Sequence, residues 1–564
     1  MTKSTLEDVM SSQTQKYTIG SYLIDRLFQL GVTHVFGVPG DFSLKFCKLL
    51  EEDQRISFIG TTREDTAGFA ADGYARKHNG LGVVLVTHGV GALSAVNPIA
   101  GANAESSPVL IISGTSGIQE RAENPLIHHS FGSQEAQKKI FENFTCCSVA
   151  IEDLSTAPHQ IDQVLEKVWS KKKPGYLEIP RDLIGREIDS GPDPDSFCEY
   201  HSSEEETLKE AILETVALIN KAKRPIILAG VELHRFGIQN VFVDLVEATG
   251  LYVAATIMGK SVIRENHPLY LGVYQGQVGS DETRERIENS DLVLSLGVMF
   301  TDINLGMYTA KLNPSLMIKA NQGEVIIKHH KFININLKDF ILKCTQEIKC
   351  KPSISIPTEI KKSGNGSNEL ETNDLLTMSG VIDILNKKMP SHISIICDTG
   401  DCLFASAELK VPERTSFFAS AFYTTMGFAV PAALGVNCAS PEVRSLIIVG
   451  DGAFQMTGTE LSTFKKLGLN PIVIVINNGG YETERVILDG TFNNIEDWDY
   501  SKVCQLIDCG IGLKVKTAGD FSHAMGKALS NEDQMYVIDA VVMESSVGMR
   551  RLAMEIGRRI RAKA

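Results

Sequence analysis

The stretch Ser445-Leu446-Ile447-Ile448-Val449-Gly450-Asp451-Gly452-Ala453, followed after a helical interval by Pro471-Ile472-Val473-Ile474-Val475-Ile476-Asn477-Asn478-Gly479-Gly480, decides the fold of this chain. Two short, continuously apolar runs, each ending in glycine and a polar side chain, are the pattern of parallel strands buried on both faces. Residues from about Thr457 to Leu467 carry helical spacing, so the whole reads as one β-α-β unit. Both strands of such a unit end on the same edge of the sheet, which lets Asp451 and Asn478 converge although they are far apart in sequence. Alone, Gly-Asp-Gly is most often a turn and Asn-Asn-Gly a hairpin; joined at this spacing they favour a ligand site.

The chemistry such a site suits is that of a diphosphate and Mg²⁺. The glycines let the backbone approach an anion, and a following helix points free N–H groups at it. Mg²⁺ takes about six hard oxygens, often one or two from carboxylates and the rest from phosphate and water. Asp451, the Asn478 side-chain oxygen and a backbone carbonyl near Gly480 supply the protein share. Dinucleotide binding fits less well, because no G-x-G-x-x-G follows a strand here.

Working outward, Gly82-Val83-Val84-Leu85-Val86 and Pro108-Val109-Leu110-Ile111-Ile112 repeat the alternation of apolar run and helical stretch. Two segments break it, residues 186–206 and 351–374, rich in Gly, Pro, Ser and charge, and both read as linkers. The expected fold class is α/β, with three doubly wound α/β domains of mainly parallel sheets: 1–190, 205–345 and 375–564, with 351–374 as linker. The 564 residues are too many for one core, and 43% apolar residues can furnish several. A formal charge of −14 without a basic stripe argues against nucleic-acid and anionic-membrane partners. The eleven cysteines include Cys146-Cys147 but no C-x-x-C, which fits free thiols and a cytoplasmic setting. No run approaches the roughly 18 apolar residues of a membrane span. The tail, with Met549, Leu552, Ile556 and Ile560 at helical spacing among arginines, reads as an amphipathic helix docked on the body.

Glu64 lies between a strand-like run ending at Gly60 and the helical Ala70-Ala71-Asp72-Gly73-Tyr74-Ala75-Arg76. A glutamate at a helix start is commonly a favourable charge-dipole pair. The Ala-Asp-Gly-Tyr-Ala-Arg run, together with Gly-Asp-Gly, 24 residues and Asn-Asn, resembles the thiamine diphosphate enzymes. There the glutamate exchanges a proton with the aminopyrimidine of the cofactor. Gly37-Val38-Pro39-Gly40-Asp41-Phe42, His128-His129 and Gly480-Tyr481-Glu482-Thr483-Glu484-Arg485 narrow the resemblance to the pyruvate, indolepyruvate, phenylpyruvate and branched-chain 2-oxoacid decarboxylases. Taken singly, Asp41 could be a turn residue, the histidine pair a cap or part of a metal site, and Glu484 an exposed helix charge.

The resemblance, which covers essentially the whole chain, implies non-oxidative decarboxylation of a small 2-oxoacid to aldehyde and CO₂, through a thiamine diphosphate ylide and enamine. It implies catalytic roles for Glu64, Asp41, His128, His129 and Glu484. Cofactor contacts carry over to Glu64, Thr87, Asp401, Cys402, Thr424, Met426, Asp451, Gly452, Ala453, Asn478, Gly480 and Tyr481, with Mg²⁺ held by Asp451, Asn478 and Gly480. In Phe422-Tyr423-Thr424-Thr425-Met426-Gly427-Phe428, Met426 would wedge between the cofactor rings and the Thr424 carbonyl would receive the exocyclic amine. A homodimer or homotetramer with the active site between subunits is implied as well. The alternatives are a carboligase of the acetolactate synthase type, a non-catalytic thiamine diphosphate-binding protein and a nicotinamide dehydrogenase.

Two departures bear on substrate and regulation. Asp401-Cys402 is similar to the phenylpyruvate members while Glu484 is similar to the others, and Ile303 stands where pyruvate-specific relatives tend to carry a larger aromatic. These point to a pocket wider than acetyl. Ala229-Gly230-Val231-Glu232-Leu233-His234 stands where substrate-activated members have a regulatory cysteine, and none is present. Rate curves are therefore expected to be hyperbolic without a lag; a sigmoidal dependence of initial rate on substrate would contradict this.

Overall fold

The computed structural model describes residues 17–122, 125–189, 191–193, 202–348 and 373–563. The segments expected as linkers, and the polar N-terminal stretch, fall largely outside them. The described chain forms two compact units, the first drawn from residues 1–71, 80–103 and 108–199, the second from 72–79, 104–107 and 200–564.

The first unit is built on a six-stranded parallel sheet in the order Ser57–Gly60, His34–Gly37, Gly82–Val86, Val109–Thr115, Gly175–Pro180, Cys147–Ala150. Its inner strands are buried because helices cover both faces: Val109–Thr115 is buried at every residue. Helix Ala157–Lys171 shows the matching helical period, burying Ile161, Val164, Leu165 and Val168 on one stripe. Chain direction across the sheet reverses between His34–Gly37 and Gly82–Val86. The loops after these two strands, which carry Asp41 and Thr87, therefore flank the crevice where α/β sheets bind ligands.

The second unit holds two sheets. The first of them has seven strands in the order Tyr270–Val273, Tyr252–Ala255, Pro225–Ala229, Leu292–Leu296, Met317–Asn321, Gly323–Ile327, His330–Ile335. The first five run parallel and the last two are antiparallel additions through tight turns. That antiparallel edge escapes a reading tuned to long apolar runs, since His330–Ile335 is mostly solvent-facing. The other sheet has six parallel strands: Phe417–Ala419, Ile393–Cys397, Arg444–Gly450, Ile472–Asn477, Tyr536–Val541, Ile511–Val515. Here the reversal falls between Ile393–Cys397 and Arg444–Gly450, which places Asp398 and Asp451 at the mouth of the crevice.

Helix Glu64–His78 begins in the first unit and ends in the second. Its second half accounts for the Ala-Asp-Gly-Tyr-Ala-Arg run. A Cβ on Gly73 would lie 2.1 Å from the Ala432 carbonyl oxygen, so only glycine permits this approach. Arg76, almost fully buried, pairs with Asp72 at 2.7 Å and Glu105 at 3.0 Å and donates to the Ala419 carbonyl at 2.8 Å. Gly73→Ala is expected to lower stability by about 2–3 kcal/mol, the scale of overpacking against atoms that cannot yield. An unchanged urea unfolding midpoint would count against this.

Candidate functional site

In the second unit, strand Arg444–Gly450 ends at Gly450 and helix Asp451–Thr457 begins at once. The sequence placed the helix start near Thr457. The structure has a 3-10 turn at Gly458–Glu460 and helix Leu461–Leu467 there, and the additional short helix before them opens on Asp451, whose charge sits beside unsatisfied N–H groups. The carboxylate is 2% exposed. Its Oδ1 accepts from the Gly452 N–H at 2.7 Å. Its Oδ2 accepts from Gly479 at 2.7 Å, Asn478 at 3.1 Å and Gly480 at 3.2 Å. Burial pushes this carboxyl up from its ordinary range, against the four N–H bonds that favour the anion.

The turn after strand Ile472–Asn477 is shaped for this contact. Gly479 and Gly480 both have positive φ, and a Cβ on Gly480 would meet the Asn493 carbonyl at 2.1 Å. Arg485 ties the turn from outside, donating to the carbonyls of Gly479 at 2.8 Å and Asn478 at 3.3 Å. The two asparagines diverge. Asn477 donates its amide to Asp539 at 3.0 Å and belongs to the core, whereas the buried Asn478 Oδ1 has no hydrogen-bond partner among the described residues.

A cavity of about 520 Å³ opens over this point, and it gathers Asp401, Cys402, Thr424, Met426, Asp451, Gly452, Ala453, Asn478, Gly480, Tyr481 and Glu484 in its walls. Tyr481 stands over Gly452, where a Cβ would lie 2.6 Å from the ring. Glu484 is exposed on helix Glu482–Ile487. The outer wall is apolar: Ile303 and Met307 join Phe404, Leu552 and Ile556. Of these only Ile303 was singled out as a pocket residue from the sequence. Helix Val547–Lys563 forms as the tail pattern indicated, with Met549 and Leu552 buried.

Two further buried acids follow strand Ile393–Cys397. Asp398, missed in the sequence, accepts from Thr399 at 3.0 Å, Gly427 at 3.2 Å and Ala429 at 2.8 Å, joining two loops, and burial pushes its carboxyl up to about 6. Asp401 accepts from the Ser546 N–H at 3.1 Å and is likewise raised to about 6 by burial. Glu105 receives the N–H groups of Phe422 at 2.8 Å and Tyr423 at 3.0 Å, and so hangs the loop that carries Thr424 and Met426. The signal that could have found these acids is their position: Asp398 directly after a buried strand, Glu105 directly after a buried helix.

The remaining candidates gather in the first unit. Glu64 opens its helix with no hydrogen bond to its carboxylate from the described residues. A Cβ on Gly91 would lie 3.2 Å from Glu64 Oε1 and 3.1 Å from Thr87 Cγ2. The Thr87 hydroxyl is buried and unpartnered among the described residues. In the same unit His128 Nε2 lies 2.8 Å from Asp41 Oδ2 and His129 Nε2 lies 3.9 Å from Asp41 Oδ1. His129 takes a positive φ, with its carbonyl packed against Gly89, where a Cβ would come within 2.1 Å. Burial pushes the neighbouring His88 imidazole down, toward its neutral form.

Three family models match the chain in succession: the N-terminal TPP binding domain of thiamine pyrophosphate enzymes over residues 17–140, their central domain over 212–340, and their C-terminal TPP binding domain over 398–540. A probable pyruvate decarboxylase of Schizosaccharomyces pombe is 32% identical over 535 residues, 93% of this chain and 94% of its own length. An indole-3-pyruvate decarboxylase of Azospirillum brasilense is 31% identical over 529 residues, 92% and 94% of the two chains. An alpha-keto-acid decarboxylase of Mycolicibacterium paratuberculosis is 29% identical over 532 residues, 93% and 94%.

The raised Asp401 carboxyl yields a signed expectation for the chain without ligand. Its folded-state value lies above the ordinary 3.8, so its contribution to stability is full below about pH 4 and is lost as pH rises through about 6. Relative to wild type, Asp401→Asn should gain about 2 kcal/mol between pH 4 and pH 7. Urea unfolding of both proteins at the two pH values measures this, and a pH-independent difference would refute it.

Proposed function

The chain belongs to the thiamine pyrophosphate enzyme family, and from that premise we propose that it is a thiamine diphosphate-dependent decarboxylase converting a 2-oxoacid to its aldehyde and CO₂. One observation carries the reading at the level of the site: a buried, unpartnered Asn478 Oδ1 beside the buried Asp451 carboxylate, at the ends of two adjacent parallel strands. Desolvating an amide oxygen without a partner is costly, and such an atom is retained where a ligand completes it.

The donor set fits a diphosphate with Mg²⁺. Asp451, the Asn478 oxygen and the Gly480 carbonyl would be the hard oxygens for the cation, while Ala453 and the rest of the first turn of helix Asp451–Thr457 would offer backbone N–H groups to the phosphates, the Gly452 N–H being taken by Asp451. Thr424, Met426, Asp401, Cys402 and Tyr481 would hold the rest of the cofactor, together with Glu64 and Thr87. When bound, the cofactor supplies an electron sink for the pair left as CO₂ departs.

The chain's own residues supply proton control. Glu64, whose carboxylate takes no hydrogen bond from the described residues, holds a proton for exchange with the pyrimidine ring. Asp41, His128, His129 and Glu484 hold and deliver the proton that must reach the acyl carbon before aldehyde leaves. The Asp41 and His128 contact at 2.8 Å supports the pairing of acid and imidazole. The family resemblance supports a homodimer or homotetramer with the active site between subunits. A cytoplasmic location accords with the free cysteines among the described residues.

The apolar outer wall supports branched-chain or aromatic 2-oxoacids over pyruvate, since Ile303 and Met307 leave room beyond an acetyl group. A panel of pyruvate, 2-oxoisovalerate and phenylpyruvate, assayed for aldehyde with thiamine diphosphate and Mg²⁺, tests both parts. The expected result is aldehyde release with kcat/KM lowest for pyruvate, and loss of about 10²-fold or more in kcat for Glu64→Gln while the cofactor stays bound. No aldehyde from any 2-oxoacid, or a Glu64→Gln variant of full rate, would overturn the reading.

A further inference from the structure

The proton-handling constellation of the first unit has a neighbour with a permanent charge. Arg181 follows strand Gly175–Pro180, its N–H donating to the Thr115 carbonyl at 2.9 Å. Its Nη1 lies 3.8 Å from Asp41 Oδ2, the same oxygen that His128 Nε2 meets at 2.8 Å. Both cationic groups pack on one ring: the guanidinium stands 5.1 Å from the Phe42 centroid, and the His128 imidazole stacks on it at 5.1 Å.

Arg181 is fixed from its other side. Its Nε and Nη2 both donate to the Glu120 carboxylate, the former at 3.1 Å, and Glu120 in turn accepts from the Gly117 N–H at 2.8 Å. Hydrogen bonding to Glu120 raises the guanidinium further above its ordinary range, so its charge is constant at every working pH. Asp182, whose oxygens accept from Ile118, is a further anion near it. On the far side of the cluster stand His129 and His88, with Arg121 and Glu178 behind His88.

We propose that Arg181, braced by Glu120, is a positioning residue for the Asp41 and His128 pair, a fixed cation that limits how many protons the cluster holds near neutral pH. This rests on the decarboxylase reading for its catalytic meaning, but the electrostatics stand on the geometry. A carboxylate shared by two imidazoles draws protons onto both. A guanidinium on the same oxygen opposes that uptake. With Arg181 and Asp41 both more than a third exposed, solvent weakens the coupling.

The test compares Arg181→Gln, Arg181→Lys and Glu120→Gln with wild type by two readouts: the pH profile of kcat/KM on an accepted 2-oxoacid, and the pH titration of the labelled histidine ring resonances of the cluster without substrate. In Arg181→Gln both should move to higher pH by about half a unit, a like-charge effect on the imidazoles that solvent weakens at these exposed positions. Arg181→Lys should restore part of the shift. Glu120→Gln should move both readouts the other way, because the guanidinium charge is then less compensated, and a merely structural ion pair would not give opposite signs. Unchanged titrations in Arg181→Gln, or shifts of the same sign in both, would overturn the proposal. Wild-type protein that titrates as expected yet releases no aldehyde would instead sink the decarboxylase reading.

Discussion

Everything in the second unit's crevice hangs on one carboxylate. Asp451 accepts four backbone N–H groups, one from its own helix and three from the turn after the next strand. A single acid thereby satisfies donors that would otherwise be orphaned at two element ends and holds those ends in register. With the turn's N–H groups aimed at Asp451, the Asn478 side-chain oxygen is left without a partner among the described residues. The cradle is thus built by spending hydrogen bonds on backbone placement while withholding one acceptor.

Support for the cradle repeats the same device at longer range. Asp398 fastens the loop after its strand to residues 427–429, and Glu105, held by the buried Arg76, fastens residues 420–423. A buried charge with every partner in place is rigid, and removing one partner leaves an uncompensated ion, a loss of about 3–5 kcal/mol. The loop that carries Thr424 and Met426 is therefore positioned by charges rather than by its own short-range preferences.

What could be read from the sequence follows from this physics. Apolar runs such as Ile472–Asn477 announce buried parallel strands, and the spacing from Asp451 to Asn478 announces a shared crevice, because both depend on local pattern. The short helix opening at Asp451 was missed because Asp-Gly-Ala-Phe carries no apolar period, only a favourable charge at an N-terminus. Asp398, Glu105 and Arg181 were not legible, since their meaning lies in partners far along the chain. The sequence resemblance, not residue chemistry alone, brought Asp41 together with His128, and the 2.8 Å contact between side chains 87 positions apart gives that association a physical basis.

The two residues just before the tail helix touch the cradle's rim, Ser545 Oγ donating to Glu482 at 2.6 Å and the Ser546 N–H to Asp401 at 3.1 Å, and Leu552 and Ile556 of the helix then complete the apolar wall. The wall is thus completed by a separate element, anchored at its base and again where Arg551 meets Asp281 at 3.1 Å. Substitutions at positions 552 and 556 can reshape this wall while Asp451 and the turn it holds stay as they are. The shape of the cavity's outer side can then change without disturbing the hydrogen bonds that set its floor.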